Sequence, residues 1–147
     1  MSASDGFFVD SNVLLYYVDP VDLEKQRRAA EWLQALWTAG AGRLSWQVLH
    51  EFYWNAVKKM RLEPARAREM VNDLSHWRPV DTSLGLIEQC WHWIDAAQLS
   101  YWDALILAAA QRSGSRYLLS EDFQEHRVYG GVQILNPFLH SPSEVGI

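Results

Sequence analysis

The sequence predicts a three-layer α/β/α fold with a mostly parallel central sheet, on three observations. Short apolar runs rich in aromatic and β-branched residues, which are typical of buried strands, recur along the chain. They alternate with longer segments in which apolar residues recur at helical spacing. One of these segments, "ALILAAA", is apolar all round, which indicates a helix buried against the sheet. Strands that alternate with helices are typical of a parallel sheet covered on both faces.

The first half of the chain begins with a predicted strand at 7–9, where Phe-Phe-Val suits a pleated and packed surface. A helix follows over 21–38 and ends before Gly40, because glycine commonly terminates a helix. A short strand at 43–45 leads into a second helix over 46–60. The residues expected to face the core are Leu23, Ala30, Leu33 and Trp37 in the first helix and Trp46, Leu49, Tyr53 and Val57 in the second.

The next predicted helix runs over 64–74, with Pro64 in its first turn, where proline's missing N–H costs no hydrogen bond. Residues 78–80 form a candidate strand, and Thr82 is expected to cap the helix that follows. The apolar face of that helix consists of Leu86, Ile87, Cys90, Trp91 and Ile94.

The last predicted helix is the one that is apolar all round, and it runs from its cap Ser100 to Gly114. Strands at 116–119 and 132–135 complete the sheet. The length of 147 residues fits one domain. We assign residues 1–140 to that domain and residues 141–147 to a flexible C-terminal tail.

Composition excludes several classes of protein. Cys90 is the single cysteine, which excludes an internal disulfide framework and a cysteine-based zinc site. No apolar run in the sequence approaches the roughly 18 residues that a membrane span requires. The N-terminus lacks the basic and apolar regions of a signal peptide. We therefore expect a cytoplasmic protein that does not contact membranes.

The charge of the chain leaves two interpretations of nucleic-acid binding open. A net charge of −5 gives no general attraction to nucleic acid. One basic patch stands out, and it consists of Lys58, Lys59, Arg61, Arg66 and Arg68. Such a patch is either a solvated helix surface or a local contact for RNA phosphates.

Acidic residues follow two of the predicted strands. Asp10 ends the first strand, and Ser120–Asp122 follows a later one. In open parallel sheets the ligand site lies outside the carboxyl ends of the strands, so we expect these two places to be neighbours. Asp103 begins the helix that leads into the second place, and Glu51 lies on an earlier helix.

Each acidic residue also has an ordinary structural explanation. Asp10 suits an Asx turn or a helix cap, and Asp103 completes the Ser-x-x-Asp capping pattern that begins at Ser100. Glu51 falls on the polar side of its helix, and Asp122 suits a turn. Together, however, three or four carboxylates without a compensating cation would repel one another. Mg²⁺ or Mn²⁺ would relieve that repulsion, and a metal held in this way can activate water for attack on a phosphodiester.

Four segments of the chain resemble the motifs of the PIN-domain ribonucleases, most closely the VapC-like toxins of type II toxin–antitoxin pairs. "FFVDSNVLLYY" is similar to the first motif, and "SWQVLHEFYWNAVKK" is similar to the second. "LSYWDALILAAAQRSGSRYLLSEDFQ" resembles the third and fourth motifs together, and "GVQILNPF" looks like the family's last strand. The resemblance spans about residues 6–139 and implies a PIN-like fold.

The resemblance also implies a site and a reaction. The catalytic residues and metal ligands would be Asp10, Glu51, Asp103 and Asp122, with Mg²⁺ or Mn²⁺ as the cofactor. Asn12 and Ser120 would support them. Glu121 departs from the family pattern, so it is either a ligand in place of Asp122 or a residue that faces solvent. The implied reaction is cleavage of single-stranded or looped RNA to leave a 5′-phosphate and a 3′-hydroxyl.

The partners implied by the resemblance are an RNA substrate, a second copy of the chain in a homodimer, and a cognate antitoxin. The candidate RNA contacts are Lys58, Lys59 and Arg61. A phosphatase or receiver domain is disfavoured because it needs a second acid near Asp10, where Ser11 and Asn12 stand. The alternative function is a PIN scaffold that has lost catalysis and acts as a protein- or RNA-binding module.

Overall fold

The computed structural model describes residues 5–147 and contains a five-stranded sheet. The strands are β1 (Gly6–Val9), β2 (Gly42–Arg43), β3 (Ser115–Leu119), β4 (Val128–Tyr129) and β5 (Val132–Leu135). They lie in the order β2-β1-β3-β5-β4, and every neighbouring pair is parallel except the antiparallel pair β4 and β5. The prediction of a mostly parallel sheet is therefore confirmed.

Six α-helices cover the sheet within the described chain. They are α1 (Ser11–Tyr17), α2 (Leu23–Ala39), α3 (Trp46–Lys58), α4 (Pro64–Leu74), α5 (Leu84–Ala97) and α6 (Tyr101–Arg112). Together with the sheet they form the predicted three-layer α/β/α fold. None of the helices formed by residues 5–147 is long and apolar enough to cross a membrane.

The core lies where the central strands meet α6. Phe7 and Phe8 of β1 and Leu118 of β3 are at most 1% exposed. Every residue from Ala104 to Ala110 is buried, which confirms the prediction that this helix is enclosed. Burying one such large apolar side chain contributes about 1.5–3 kcal/mol, so the central strands and α6 provide a stable base for Asp10, Asp103 and Asp122.

The predicted apolar faces of α2 and α3 are only partly correct. Leu49 is buried as predicted, and Leu33, Tyr53 and Val57 pack against the core. The prediction is wrong for Leu23, Trp37 and Trp46, which are 68%, 49% and 38% exposed. The fully buried residues are Ala29, Trp32 and Leu36 in α2 and Val48, Leu49, Phe52 and Ala56 in α3. Apolar residues occupy more than one side of each helix, and only tertiary packing selects the side that is buried.

The predicted strands at 43–45 and 78–80 are shorter than expected or absent. β2 stops at Arg43, because Ser45 caps α3 by accepting a hydrogen bond from the Val48 N–H at 3.3 Å. Val80 makes only a single bridge to Ser45, and residues 78–80 form no strand. The predicted helix end near residue 60 is likewise two residues too long.

The cap of α5 is Ser83, whose hydroxyl accepts from the Leu86 N–H at 3.2 Å, and the prediction of Thr82 is wrong by one residue. The cap of α6 is Ser100, as predicted. Both residues have extended backbone and a side-chain oxygen, which is the conformation a helix N-cap requires.

Two elements were not predicted as such. α1 begins directly after β1, since Asp10 caps it while Val13 and Leu14 are buried. Its "VLLYY" sequence lacks a polar face from which helical spacing can be read. β4 has two residues and pairs with β5 through a turn formed by Gly130 and Gly131, both at positive φ (53° and 87°). That Gly-Gly dipeptide is a recognisable hairpin signal.

The predicted flexible tail at 141–147 contains a short 3₁₀ helix over Pro142–Val145. Pro142 is buried, and Val145 and Ile147 pack against the core. The segment therefore has defined contacts, and its flexibility stays a prediction.

Candidate active site

The register of the sheet brings the two acidic strand ends together. Val9 of β1 pairs with Leu119 of β3, and the Asp10 N–H donates to the Leu119 carbonyl at 3.1 Å. Ser120 and Asp10 are therefore side by side, and the Ser120 hydroxyl donates to Asp10 Oδ2 at 2.8 Å. The expectation that these strand ends are neighbours is confirmed.

Asp10 is 5% exposed, and each of its carboxylate oxygens accepts a hydrogen bond. Oδ1 accepts from the Ser11 N–H at 2.7 Å, and Oδ2 accepts from Ser120 and, at 3.4 Å, from Asn12 Nδ2. The residue is thus a helix cap and a member of the acidic group at once. Burial raises the pKa of Asp10 to about 7, against the effect of its hydrogen bonds, and the charges of Asp122 and Glu51 add to the rise.

Asn12 links Asp10 to Asp122. Its Nδ2 lies 3.2 Å from Ser120 Oγ and 3.0 Å from Asp122 Oδ2. The Asp122 N–H in turn donates to Ser120 Oγ at 3.1 Å, which fixes the turn that carries this exposed carboxylate. These contacts through Asn12 and Ser120 bring Asp122 to the same place as Asp10.

Glu51 and Asp103 reach the same group from α3 and α6. Burial raises the pKa of Glu51 against the lowering effect of the Gln47 and Ser11 side chains. The charges of Asp103 and Asp122 add to the rise. Burial also raises the pKa of Asp103, with a further rise from Asp122. Asp103 has its N–H bonded to Ser100 Oγ at 3.2 Å, so the capping explanation holds for it as well. Glu51 is half-buried, and the alternative that it faces solvent is wrong.

Glu121 does not join this group. Its carboxylate forms an ion pair with Lys25 Nζ at 2.8 Å and is 22% exposed. Lys25 also lies 3.3 Å from the hydroxyl of Tyr16 and over the rings of Tyr16 and Phe138. Neither alternative for Glu121, a ligand or a residue open to solvent, matches this arrangement. The sequence reasoning missed Lys25, which lies 96 positions away in the chain.

Buried polar atoms without partners lie beside the carboxylates. Within the described chain, the buried side-chain atoms without a well-aligned hydrogen bond are Asn12 Oδ1, Glu51 Oε1 and both amide atoms of Gln47. The Gln47 amide still lies close enough to Glu51 to lower its pKa, so the Glu51 carboxylate is the acceptor for the Gln47 N–H. Leaving an oxygen atom of this kind unpaired costs about 1–3 kcal/mol. An oxygen-preferring divalent cation and its bound water would satisfy Asn12 Oδ1 and Glu51 Oε1, so the oxygen set fits Mg²⁺ or Mn²⁺. Gln47 was missed, although its i, i+4 spacing to Glu51 places both on one face of α3.

The candidate RNA contacts lie on and after the end of α3. Lys58, Lys59 and Arg61 are all exposed. Lys58 follows Glu51 by seven residues, so it lies on the same side of the helix about 10 Å further along. Its Nζ lies 5.5 Å from the centre of the exposed Trp54 ring. Lys58 lies within the same helix as Glu51, so its distance from the acidic group follows from helix geometry, whereas Lys59 and Arg61 lie beyond the helix end.

Comparisons with known proteins agree with this fold. The family model of the PIN domain matches residues 7–131. A chain of a toxin-antitoxin complex from Klebsiella pneumoniae has a similar fold, with a TM-score of 0.64 and 23% sequence identity. The match covers 90% of this chain and 98% of that one. Comparison with curated proteins found no match. Because the family model spans most of its length, the chain belongs to the PIN-domain family.

Proposed function

We propose that this protein is a metal-dependent endoribonuclease that cuts single-stranded or looped RNA. The observation that carries the proposal is the convergence of four carboxylates at the carboxyl ends of β1 and β3. They belong to Asp10, Glu51, Asp103 and Asp122, and within residues 5–147 none of them forms an ion pair with Lys, Arg or His. PIN domains are generally nucleases, which supports the same class of reaction.

The four carboxylates would hold Mg²⁺ or Mn²⁺, with Asp10 as the most enclosed ligand. A bound cation of this kind supplies an activated water and stabilises negative charge on a phosphodiester during in-line attack. Asp10 is the residue whose charged form depends most on a cation, because burial raises its pKa to about 7. Ser120 and the Ser11 N–H orient its two oxygens, so they act as positioning groups.

Asn12 has a second positioning role in this proposal. Its amide nitrogen holds Ser120 and Asp122, while its buried Oδ1 has no partner. That oxygen is free to accept a hydrogen bond from a metal-bound water. Glu51 Oε1 is available in the same way from α3. These two atoms would therefore fix the orientation of water in the site.

The substrate would run from the acidic group along α3. Lys58, Lys59 and Arg61 would contact RNA phosphates, and the exposed Trp54 offers a flat surface on which a base can stack. An overall charge of −5 means that this local patch and the metal, rather than the whole surface, would attract RNA. We expect the protein to act in the cytoplasm, where its RNA substrate would be found.

We also propose that the protein is a homodimer and the toxin of a toxin–antitoxin pair. Support comes from the similar chain of a toxin-antitoxin complex and from exposed aromatic surface. Five of the eight tryptophans are at least 38% exposed, namely Trp37, Trp46, Trp54, Trp91 and Trp102. Tryptophan is enriched at the buried centre of protein–protein interfaces, so these side chains are candidates for such contacts.

The test is cleavage of total RNA by the purified protein with Mg²⁺, with Mn²⁺ and with EDTA, beside Asp103→Asn. Asp95→Asn, which removes an exposed acid from α5, is the matched control. We expect discrete fragments that need the metal, appear with Asp95→Asn and disappear with Asp103→Asn. Absence of cleavage and of metal binding under all conditions would favour the alternative, an inactive PIN scaffold that binds protein or RNA.

A further inference from the structure

A second group of metal-binding side chains lies outside the acidic group. Glu125 and His126 stand in the loop between β3 and β4, and His140 lies in the segment after β5. One ligand atom from each of the three residues lies within 4.8 Å of the others. Glu125 Oε1 is 3.1 Å from His140 Nε2 and 3.5 Å from His126 Nε2. The three side chains thus converge on one point at the surface.

The atoms that face away from this point are held by neighbouring groups. Glu125 Oε2 accepts from the Asn136 N–H at 2.7 Å, and His140 Nδ1 lies 2.9 Å from Glu144 Oε2. In metal sites the second nitrogen of a ligating histidine usually donates to a carboxylate or carbonyl, which leaves the other nitrogen free for the metal. The pair of His140 and Glu144 has this arrangement.

His126 has a partner of the same kind. Its Nδ1 lies 3.4 Å from the Gln133 amide, whose oxygen can accept from an Nδ1–H when the amide is turned over. Nε2 of His126 is then free, and it faces Glu125. The His126 side chain is 58% exposed, so a metal bound at this point would be accessible from solvent.

We propose that Glu125, His126 and His140 form a binding site for Zn²⁺ that is separate from the carboxylate group. Two imidazole nitrogens and one carboxylate oxygen suit zinc, whereas Mg²⁺ prefers oxygen ligands alone. Tetrahedral bonds of about 2.0–2.1 Å require ligand atoms roughly 3.3 Å apart. The separations of 3.1 and 3.5 Å are close to that value, and the ligand atoms of His126 and His140 lie within 4.8 Å of each other. Water would complete the tetrahedron.

The site would strengthen the connection between two segments that already meet at the hydrogen bond between the Asn136 N–H and Glu125 Oε2. His140 follows Pro137, and the carbonyls of both residues accept from Trp32 Nε1 at 2.9 Å, so this segment is anchored in the core. Glu125 and His126 belong to the loop that also carries Asp122. Zinc at this place would tie that loop to the anchored segment. It would raise the thermal stability of the protein with the logarithm of the free Zn²⁺ concentration above the dissociation constant.

The experiment is a calorimetric titration of untagged, metal-stripped protein with Zn²⁺ in the absence of RNA. It compares the wild type with His126→Ala, His140→Ala, Asp10→Asn and, as the matched control, His50→Ala, which removes an exposed histidine from α3. Circular dichroism confirms that each variant is folded. Co²⁺ in place of Zn²⁺ gives a visible absorption spectrum that reports tetrahedral coordination.

Because Zn²⁺ can also bind the carboxylate group, every titration contains excess Mg²⁺ to occupy that group. Under this condition we expect one Zn²⁺ per chain in the wild type, His50→Ala and Asp10→Asn, and at least tenfold weaker binding in the two other histidine variants. Because His126 is exposed, its variant decides the test even where His140→Ala disturbs the fold. Binding that survives His126→Ala, binding that Asp10→Asn removes, or no saturable binding at all would each overturn the proposal. Because Asp10→Asn alters the carboxylate group and leaves Glu125, His126 and His140 unchanged, Zn²⁺ binding by this variant tests the zinc site independently of the proposed nuclease activity.

Discussion

Replacing Asp10 by asparagine is expected to stabilise the protein when divalent metal is absent and the pH is near neutral. The carboxylate is 5% exposed, and Asp122 and Glu51 add negative charge nearby. In the folded protein these effects raise the pKa of Asp10 from 3.8 to about 7. An asparagine of the same shape removes the charge but keeps an oxygen that can accept from the Ser11 N–H.

The size and pH range of the effect follow from that shift. Below pH 3.8 the carboxyl is protonated in both states, and its contribution to stability is greatest there. As the pH rises toward 7 the unfolded chain releases the proton and the folded protein retains it, so stability is lost. A shift of roughly three pKa units, at about 1.4 kcal/mol each, gives an upper limit of about 4 kcal/mol. We expect the stability advantage of the Asn variant over wild type to rise from about 0.5 kcal/mol at pH 4 to about 2–4 kcal/mol at pH 7.

The assay is urea unfolding in EDTA at a series of pH values from about 4 to 8, for wild type and Asp10→Asn. Asp81→Asn, which removes an exposed carboxylate from the loop before α5, is the control and should show little change with pH. Added Mg²⁺ should raise the stability of wild type more than that of Asp10→Asn. A difference between Asp10→Asn and wild type that stays constant over this pH range would refute the link between burial of Asp10 and stability.

Two further substitutions test other parts of the structure. Trp32→Phe should lower the free energy of unfolding by about 1–3 kcal/mol, because Trp32 Nε1 donates to two backbone carbonyls. Urea unfolding measures this, Trp37→Phe on the exposed side of α2 is the control, and a loss below about 0.5 kcal/mol would contradict it. Lys58→Glu with Lys59→Glu should weaken RNA binding and flatten its dependence on salt concentration, as measured by fluorescence anisotropy. An unchanged salt slope would mean that these lysines are only solvated surface.

Local signals in the sequence were sufficient for most of the secondary structure. Pro64 fixes the start of α4, and Ser100 fixes the start of α6, because both act within a few residues of themselves. The same kind of signal was read one residue too early at Thr82, where two hydroxyl residues stand side by side and only the backbone conformation selects Ser83. Local sequence signals therefore predict the existence of a helix or strand more reliably than they predict its first and last residues.

Four of the acidic residues were predicted from the strand ends and from the resemblance to PIN-domain ribonucleases. What the sequence did not reveal is the environment that gives them their properties. Gln47 and Lys25 were missed, the first because an amide on a helix surface carries no signal of burial. The second was missed because its partner Glu121 is 96 positions away. The catalytic roles of the four acidic residues stay a proposal, whereas their positions are given by the structure.

By itself, the sequence determined the fold class, the order of most elements and the acidic residues, because each depends on spacing within a short stretch of chain. Only the tertiary structure decided which helix faces are buried, how far Asp10 is removed from water, and which residues meet across the chain. His126 and His140 show the reason most plainly. They are 14 positions apart with no shared motif, and it is the packing of the C-terminal segment around Trp32 that brings them together.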